Sequence, residues 1–444
     1  MKRLTSWISV LLLTLSTPAI AGGLLTNTNQ NVAFLRMLAR GASIDIDGVY
    51  SNPAGLAFLP HNGLYLSLNG QSAYQTRLID ATSPLFPEEG HLRHYKGKAS
   101  APIIPSLQAA YKNGGWTFSG SFAVVGGGGK ASFGTGLPMF DTMAMGMING
   151  ALSQHPALGP IITGGTPATN FYTMSSALDG KQYIYGVQLG VTYKINDWLS
   201  AFAGGRMNYF TGGYEGFLNA NLKQEYGGTQ LAAIALDCTQ TGWGITPILG
   251  VDAKWNKLNI GVKYEFMANM NIENKTKTLQ VPAGTEGAFA AFADGVNTPN
   301  DIPALLTAAV GYEFLPTLRA SVEYHYFFDK QAGMAGDKQK TLTGGTNEYL
   351  AGIEWDVHKY VSVSGGFQKT DYGLSDAFQS DTSFSCDSYS IGLGAALNLT
   401  SHLRLNLAYF WTTYSDYTKK LSDTSANVYG RTNKVFGLGI DYRF

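Results

Sequence analysis

Three arginines, Arg206, Arg319 and Arg404, fall in segments where apolar and polar residues alternate, each on the polar side. A guanidinium so placed grips a carboxylate through two parallel hydrogen bonds, so all three are candidates for holding an acidic ligand. A structural pair with a neighbouring carboxylate is the plainer reading of any one of them. His325 stands two residues from Glu323 on the same side, a spacing compatible with acid–base work. No serine occupies a nucleophile-elbow context and no histidine spacing suits a metal, so the chain does not read as an enzyme and calls for no cofactor. Cys238 and Cys386 are the only cysteines. They allow at most one bridge, and spacing alone leaves it open.

Two further stretches carry physical consequences. Residues 124–130 read Val-Val-Gly-Gly-Gly-Gly-Lys, and glycines Gly126, Gly127, Gly128 and Gly129 cannot pack an apolar face. Such a run weakens or bulges a strand ladder, or else forms a flexible lead into a loop. From 131 to 180 the chain is too long and too apolar for a plain connector. Leu137, Phe140, Met143, Met147 and Leu152 recur there at near-helical spacing, with Met139 and Met145 beside them. A methionine-rich apolar surface adapts to ligands of varied shape. The alternative is a helix that packs only on its neighbours.

The elements that must position these residues are strands. Leu403, Leu405, Leu407, Tyr409 and Trp411 alternate with Arg404, Asn406 and Thr412, and Phe436 to Phe444 repeats the pattern to the last residue. A period of two with aromatic and aliphatic residues on one side, and charges on the other, describes a wall with lipid outside and a polar interior. Alternation marks strands near 64–76, 100–112, 115–125, 181–194, 197–213, 242–255, 257–272, 303–314, 317–330, 346–356, 360–371, 386–398, 402–416 and 431–444, fourteen in all. An even number is what antiparallel closure requires. Short and long connections alternate between them, the long ones covering roughly 77–99, 126–180, 214–241, 273–302, 331–345, 372–385 and 417–430. Residues 61–444 are therefore expected to form one antiparallel all-β transmembrane barrel.

Composition agrees. Charged residues make up only 14%, Lys plus Arg equals Asp plus Glu at 31 each, and aromatic residues reach 12%. A soluble surface wants more charge, and nucleic acid wants a basic face. Lys2 and Arg3, an apolar stretch from Ile8 to Leu15 and the small-residue sequence Ala19-Ile20-Ala21 make residues 1–21 an export signal. Residues 22–60 remain. They are too irregular for a strand pair, and their apolar content suits a plug in the barrel lumen better than an extension outside it.

Within that remainder stands Arg40-Gly-Ala-Ser-Ile-Asp-Ile-Asp-Gly-Val-Tyr-Ser-Asn-Pro-Ala-Gly-Leu-Ala57. This resembles the N-terminal signature of the FadL family of outer-membrane long-chain fatty-acid transporters, with Asn52, Pro53 and Ala54 matching the family's Asn-Pro-Ala motif. The resemblance implies a fourteen-stranded barrel with an N-terminal hatch over residues 22–60 and long outer loops containing short helices. It implies a monomer in the Gram-negative outer membrane, surrounded by lipid and lipopolysaccharide, that passes fatty acids or other hydrophobic molecules without a cofactor. It further implies that the third strand kinks at Gly126–Gly129 to open the wall sideways, and that Leu137, Met139, Phe140, Met143 and Met147 capture ligand from outside. Leu231 to Leu236 is the expected second helix of that capture site. The other reading of such a barrel is a substrate-specific porin or a surface receptor.

Overall fold

The computed structural model describes Leu24 and residues 26–444, the side chains at positions 128 and 288 aside. The expected export signal lies outside the described residues.

Seventeen hydrogen-bonded segments form one continuous antiparallel sheet. Three strands are each broken in two, so the wall is a closed barrel of fourteen. In chain order they are β1 (Gly63–Thr82), β2 (Leu92–Asn113), β3 (Trp116–Phe133), β4 (Tyr172–Lys194), β5 (Leu199–Leu222) and β6 (Gln230–Trp255). Then follow β7 (Leu258–Glu265 and Asn271–Gln280), β8 (Asn297–Pro299 and Leu305–Leu315), β9 (Leu318–Phe327) and β10 (Thr346–His358). The last four are β11 (Val361–Asp371), β12 (Ser388–Asn398), β13 (Leu403–Tyr414 and Tyr417–Ser422) and β14 (Ser425–Arg443). The ladder between β1 and β14 runs from Tyr65↔Arg443 to Thr82↔Ala426 and leaves no open edge. Closure is what a sheet needs in hydrocarbon, where a free edge has no water to bond.

Burial is inverted relative to a soluble protein. Along β1, Ser67, Asn69, Gln71, Gln75 and Arg77 are buried, while Leu68 is 59% and Tyr74 50% exposed. Leu189, Trp243, Val322 and Leu438 likewise face outwards. Polar inside and apolar outside is the stable arrangement only when the surroundings are apolar. At the short-turn end the outward side chains are aromatic: Trp116 lies 4.4 Å from Tyr193 and Trp198 5.0 Å from Trp255, centroid to centroid. Amphipathic rings at one level form the girdle expected at a membrane interface.

Several strands continue well past the ends that alternation marked. β5 has 24 residues and β6 has 26, where about ten suffice to cross a bilayer. The connections expected at 77–99 and 214–241 shrink to 83–91 and 223–229. Above the lipid a strand has no apolar outside to respect, so its sequence loses the alternation while its ladder persists. Leu231–Leu236 is part of β6, which corrects the expected second helix. One helix of length does form in the second long connection, after β3: α1 (Pro138–Ser153). Among the described residues no helix is long and apolar enough to cross a membrane.

Candidate ligand path

Residues 26–59 are almost wholly buried and touch inward-facing side chains around the wall. Asn31 donates to Ser67 of β1 and Gln108 of β2 at 3.2 and 2.7 Å. Gln188 of β4 donates to the Val49 carbonyl at 2.7 Å, and Lys263 of β7 to that of Tyr50 at 2.7 Å. Arg36, 1% exposed, bonds Glu354 of β10, Ser364 of β11 and Asn406 of β13. The Gly41 amide donates to Glu323 of β9 at 2.7 Å. His325, singled out for acid–base work, lies between Glu323 and Glu348 at 2.6 and 2.7 Å and so belongs to the same fixed network.

Asn52, Pro53 and Ala54 fasten this segment to three strands at once. Asn52 caps a short 3-10 turn by accepting from the Gly55 amide, and Pro53 takes the first position of that turn, where its missing N–H costs nothing. The Asn52 amide donates to Asp252 of β6 at 2.6 Å. The Pro53 carbonyl accepts from Thr192 of β4 and the Ala54 carbonyl from Ser200 of β5, both at 2.7 Å. The Ala54 methyl packs against Phe202 and Ile248. A larger residue in its place has no room between them.

The glycine run is the place where the ladder between β2 and β3 is interrupted. β2 and β3 pair up to Ser106↔Ala123 and resume at Ser100↔Lys130, with no pairs between. Against β4 the same stretch stays paired through two irregularities, at Val124/Gly126 and Gly127/Gly129. Gly127 takes φ +66°, and a Cβ there would lie 2.4 Å from the Gln182 carbonyl oxygen. The opposing stretch of β2 is Ala101-Pro102-Ile103-Ile104-Pro105, whose two prolines have no N–H to offer a ladder. Sequence reasoning missed those prolines, although each alone argues for an unpaired strand position. Carbonyls released on β3 are taken up from within: the Asn27 amide donates to Val125 O and its side chain to Gly127 O, both at 2.8 Å. Ile103 stands 77% exposed at the rim.

Outside the barrel α1 presents two faces. Leu137 precedes it and is buried with Met145, Ile148 and Leu152 in the largest apolar cluster, so Leu137 is a core residue and not a surface one. Met139, Phe140, Met143 and Met147 line a groove of about 550 Å³ whose far wall includes Leu421, Lys419 and Tyr429. Asp381 fixes the helix start, accepting from the Met139 amide and from Asn427 and Tyr429, each at 2.7 Å. Burial raises the Asp381 carboxyl above the ordinary range although these donors oppose the shift. Asp141 ties the helix to β2 and β4 through Tyr95, Arg93 and Ser176 at 2.9, 3.2 and 2.8 Å.

The structure sets all three candidate arginines against the protein's own carboxylates. Arg206 pairs with Glu265, Arg319 with Glu354 and Asp356, and Arg404 with Asp45 at 2.6 Å. These pairs hold the lumen together, and of the three guanidinium groups only that of Arg206 keeps a buried donor, Nη1, without a hydrogen bond. Cys238 and Cys386 are separate buried thiols.

No protein-family model and no curated protein sequence matches the chain. Solved structures do. A Pseudomonas aeruginosa FadL homologue aligns over 95% of this chain and 100% of its own, with TM-score 0.65 and 15% identity. The P. putida toluene transporter TodX aligns over 97% and 99%, with TM-score 0.56 and 13% identity. The Ralstonia pickettii toluene transporter TbuX aligns over 97% and 99%, with TM-score 0.52 and 14% identity. At these identities the likeness is one of fold, and it spans nearly the whole chain: this is a closed fourteen-stranded barrel of the architecture seen in a FadL homologue and in two toluene transporters.

Proposed function

We propose that the protein is a FadL-family transporter of the Gram-negative outer membrane that passes hydrophobic small molecules, fatty acids or hydrocarbons, from the cell surface into the membrane. The observation that carries this reading is the interruption between β2 and β3, flanked by prolines on one strand and glycines on the other. A water-filled channel would not serve such a ligand, because each methylene gains about 0.8 kcal/mol on leaving water for hydrocarbon. A side opening lets the chain pass from an apolar site to lipid without that cost.

The path begins in the methionine-lined groove, where soft side chains accept ligands of varied shape. It continues inwards above a hatch formed by residues 22–60, of which 26–59 fill the space beneath. It ends at Gly126–Gly129, where Asn27 holds the hatch against the kinked strand. Movement of the hatch changes how those carbonyls are bonded, so occupancy above and opening beside it are coupled. Removal of ligand downstream drives the flow, the chain having no nucleotide-binding motif. The barrel acts as a monomer, and its outer face meets lipid and lipopolysaccharide.

The deciding experiment is expression in a Gram-negative host stripped of its own fatty-acid uptake barrel, scored for uptake of labelled oleate and of toluene. Uptake of either, without permeation of small sugars in liposome swelling, supports the reading. Sugar permeation without hydrophobic uptake would replace it with the porin reading.

A further inference from the structure

Four lysines crowd one patch of the outer wall: Lys96 and Lys98 of β2, Lys130 of β3 and Lys181 of β4, all exposed and alternating with buried neighbours that face the lumen. Lys130 and Lys181 are register partners, and Lys98 opposes Ser132, two residues on from Lys130. Each lysine therefore has another within about 8 Å, Cβ to Cβ. Two carboxylates stand among them: Asp179 pairs with Lys130 at 2.7 Å, and Glu215 of β5 opposes Asp179. Among the described residues Lys96, Lys98 and Lys181 form no ion pair, whereas Lys277 and Lys369, outward on other strands, have Asp237 at 3.5 Å and Asp371 at 2.9 Å. Four ammonium groups against two carboxylates leave a surplus of two positive charges. Like charges placed directly opposite weaken a ladder, and an anion from outside the chain removes that repulsion.

The position of the patch defines the anion. Towards the short turns the outward residues of the same strands are apolar, with Ile103, Leu107 and Val187 all exposed. Towards the long loops they are polar, His94 on β2 and Asp179 on β4. Tyr74 of β1, also outward, shares a register row with Lys130 through Ser100, and an outward tyrosine at such a change of character marks the membrane interface. Ser100↔Lys130 is also the first pair formed beyond the interruption between β2 and β3. The ammonium groups thus stand at head-group level, with apolar wall and the interruption beneath them. An anion at that level that carries apolar chains below it is a lipid head group. A phosphate concentrates up to two negative charges on one compact group, which matches the surplus, and lysine binds it as a point charge without the fork geometry of arginine.

We propose that Lys96, Lys98, Lys130 and Lys181 bind the phosphate of a phosphorylated glycolipid of the outer leaflet, so that its acyl chains lie along β2 and β3 beside the interruption. The inference rests on the outer-membrane placement of the barrel and not on what the barrel transports. The bound lipid is a neighbour of the wall, distinct from any ligand inside it.

The test uses the full-length barrel, stripped of lipid in detergent, and reads by native mass spectrometry how tightly it retains lipid A and the same lipid A dephosphorylated. Wild type should hold the phosphorylated form roughly tenfold or more the tighter, and a barrel carrying Lys130→Gln and Lys181→Gln should lose most of that preference, about fivefold per lysine. A barrel carrying Lys275→Gln and Lys277→Gln, exposed on β7, should keep it. Equal retention of the two forms by wild type overturns the proposal, as does a Lys130→Gln, Lys181→Gln barrel that migrates as folded and keeps the preference. Equal loss in the β7 variant overturns it too, since charge anywhere on the outer face would then serve. Displacement of lipid A by an equal concentration of inorganic phosphate would assign the patch to a soluble anion and overturn the lipid. Uptake of oleate or toluene can fail without touching this result, because that experiment reads ligand entering cells and this one reads lipid held on the outside of the wall.

Discussion

Asn52 joins three parts of the structure with one side chain: its oxygen closes a turn of the N-terminal segment, its amide reaches Asp252, and its neighbours' carbonyls bond β4 and β5. Asn52→Ala leaves Asp252 buried with Asn259 as its remaining side-chain donor and should loosen residues 43–59 by about 1–3 kcal/mol, the cost of an unmade buried hydrogen bond. Asn52→Asp should cost more at neutral pH and recover on acidification, because two carboxylates in contact cannot both ionise. Hydrogen exchange of residues 43–59 measures both, and unchanged protection in each variant would remove the anchoring role. Lys338, outside the membrane, gives a second pH-dependent signal. Burial, and after it the charge of Lys419, lowers the Lys338 pKa from 10.5 to about 7. Below pH 7 it is charged folded or unfolded, and the 328–345 loop bears the full penalty of burying it. Between 7 and 10.5 the opened loop binds more protons than the closed one, so closure gains stability as pH rises and levels off above 10.5. Protection of residues 334–342, corrected for intrinsic exchange, should therefore rise from pH 6 to 9, and Lys338→Met should raise it at pH 6 and flatten the profile. At this scale the sequence carried Asn52 through a recognisable motif. It did not carry the pairing of Arg206, Arg319 and Arg404, since a lumen charge does not announce its partner.

Strands were legible wherever lipid touches one face, because alternation is a record of two different solvents. Where the wall rises into water the record stops, which is why residues 230–241 read as loop and fold as β6. The kink was legible on one strand only. Four glycines marked β3, while Pro102 and Pro105 on β2 went unread because strand and loop both tolerate an isolated proline at an edge. Together they make an interruption that neither needs alone: glycines let β3 swing, prolines remove the donors that would pull it back. Gly127→Ala puts a Cβ into the left-handed region and against the Gln182 carbonyl, a strain of roughly 1–2 kcal/mol or more, so delivery of ligand should fall about tenfold. Because both native thiols are buried, a bulky maleimide can be placed selectively on Ile103→Cys at the rim. That label should slow delivery as strongly while leaving ligand binding in the groove unchanged. Normal delivery in the labelled variant would mean that ligand leaves by another way.

The lumen of the molecule is occupied by residues 26–59 and its ladder is interrupted between β2 and β3, and the same segment takes part in both. Residues 26–59 cross-link opposite parts of the wall through Arg36, Asn31, Asn52 and Asp45, so the space under the groove holds protein bonded to the wall. The ladder that closes β1 on β14 is complete without that segment. Deleting residues 26–59 should therefore leave a barrel that still assembles and still resists unfolding in detergent at room temperature, its inward Asp252, Glu323 and Glu354 now hydrated. Such a barrel should let arabinose into liposomes, where wild type does not, since a fourteen-stranded wall encloses a lumen wider than side chains alone can fill. Arg36→Ala should lie between them, opening intermittently, because it releases contacts to β10, β11 and β13 while Arg319 still neutralises Glu354. The same deletion should abolish ordered delivery of hydrophobic ligand, because Asn27 no longer meets the carbonyls of Val125 and Gly127 and nothing couples the site above to the gap beside it. Sugar entry and loss of hydrophobic delivery must appear together in one variant; a deleted barrel that admits sugar and still delivers ligand at the wild-type rate would show that the segment is only a stopper and takes no part in the sideways path.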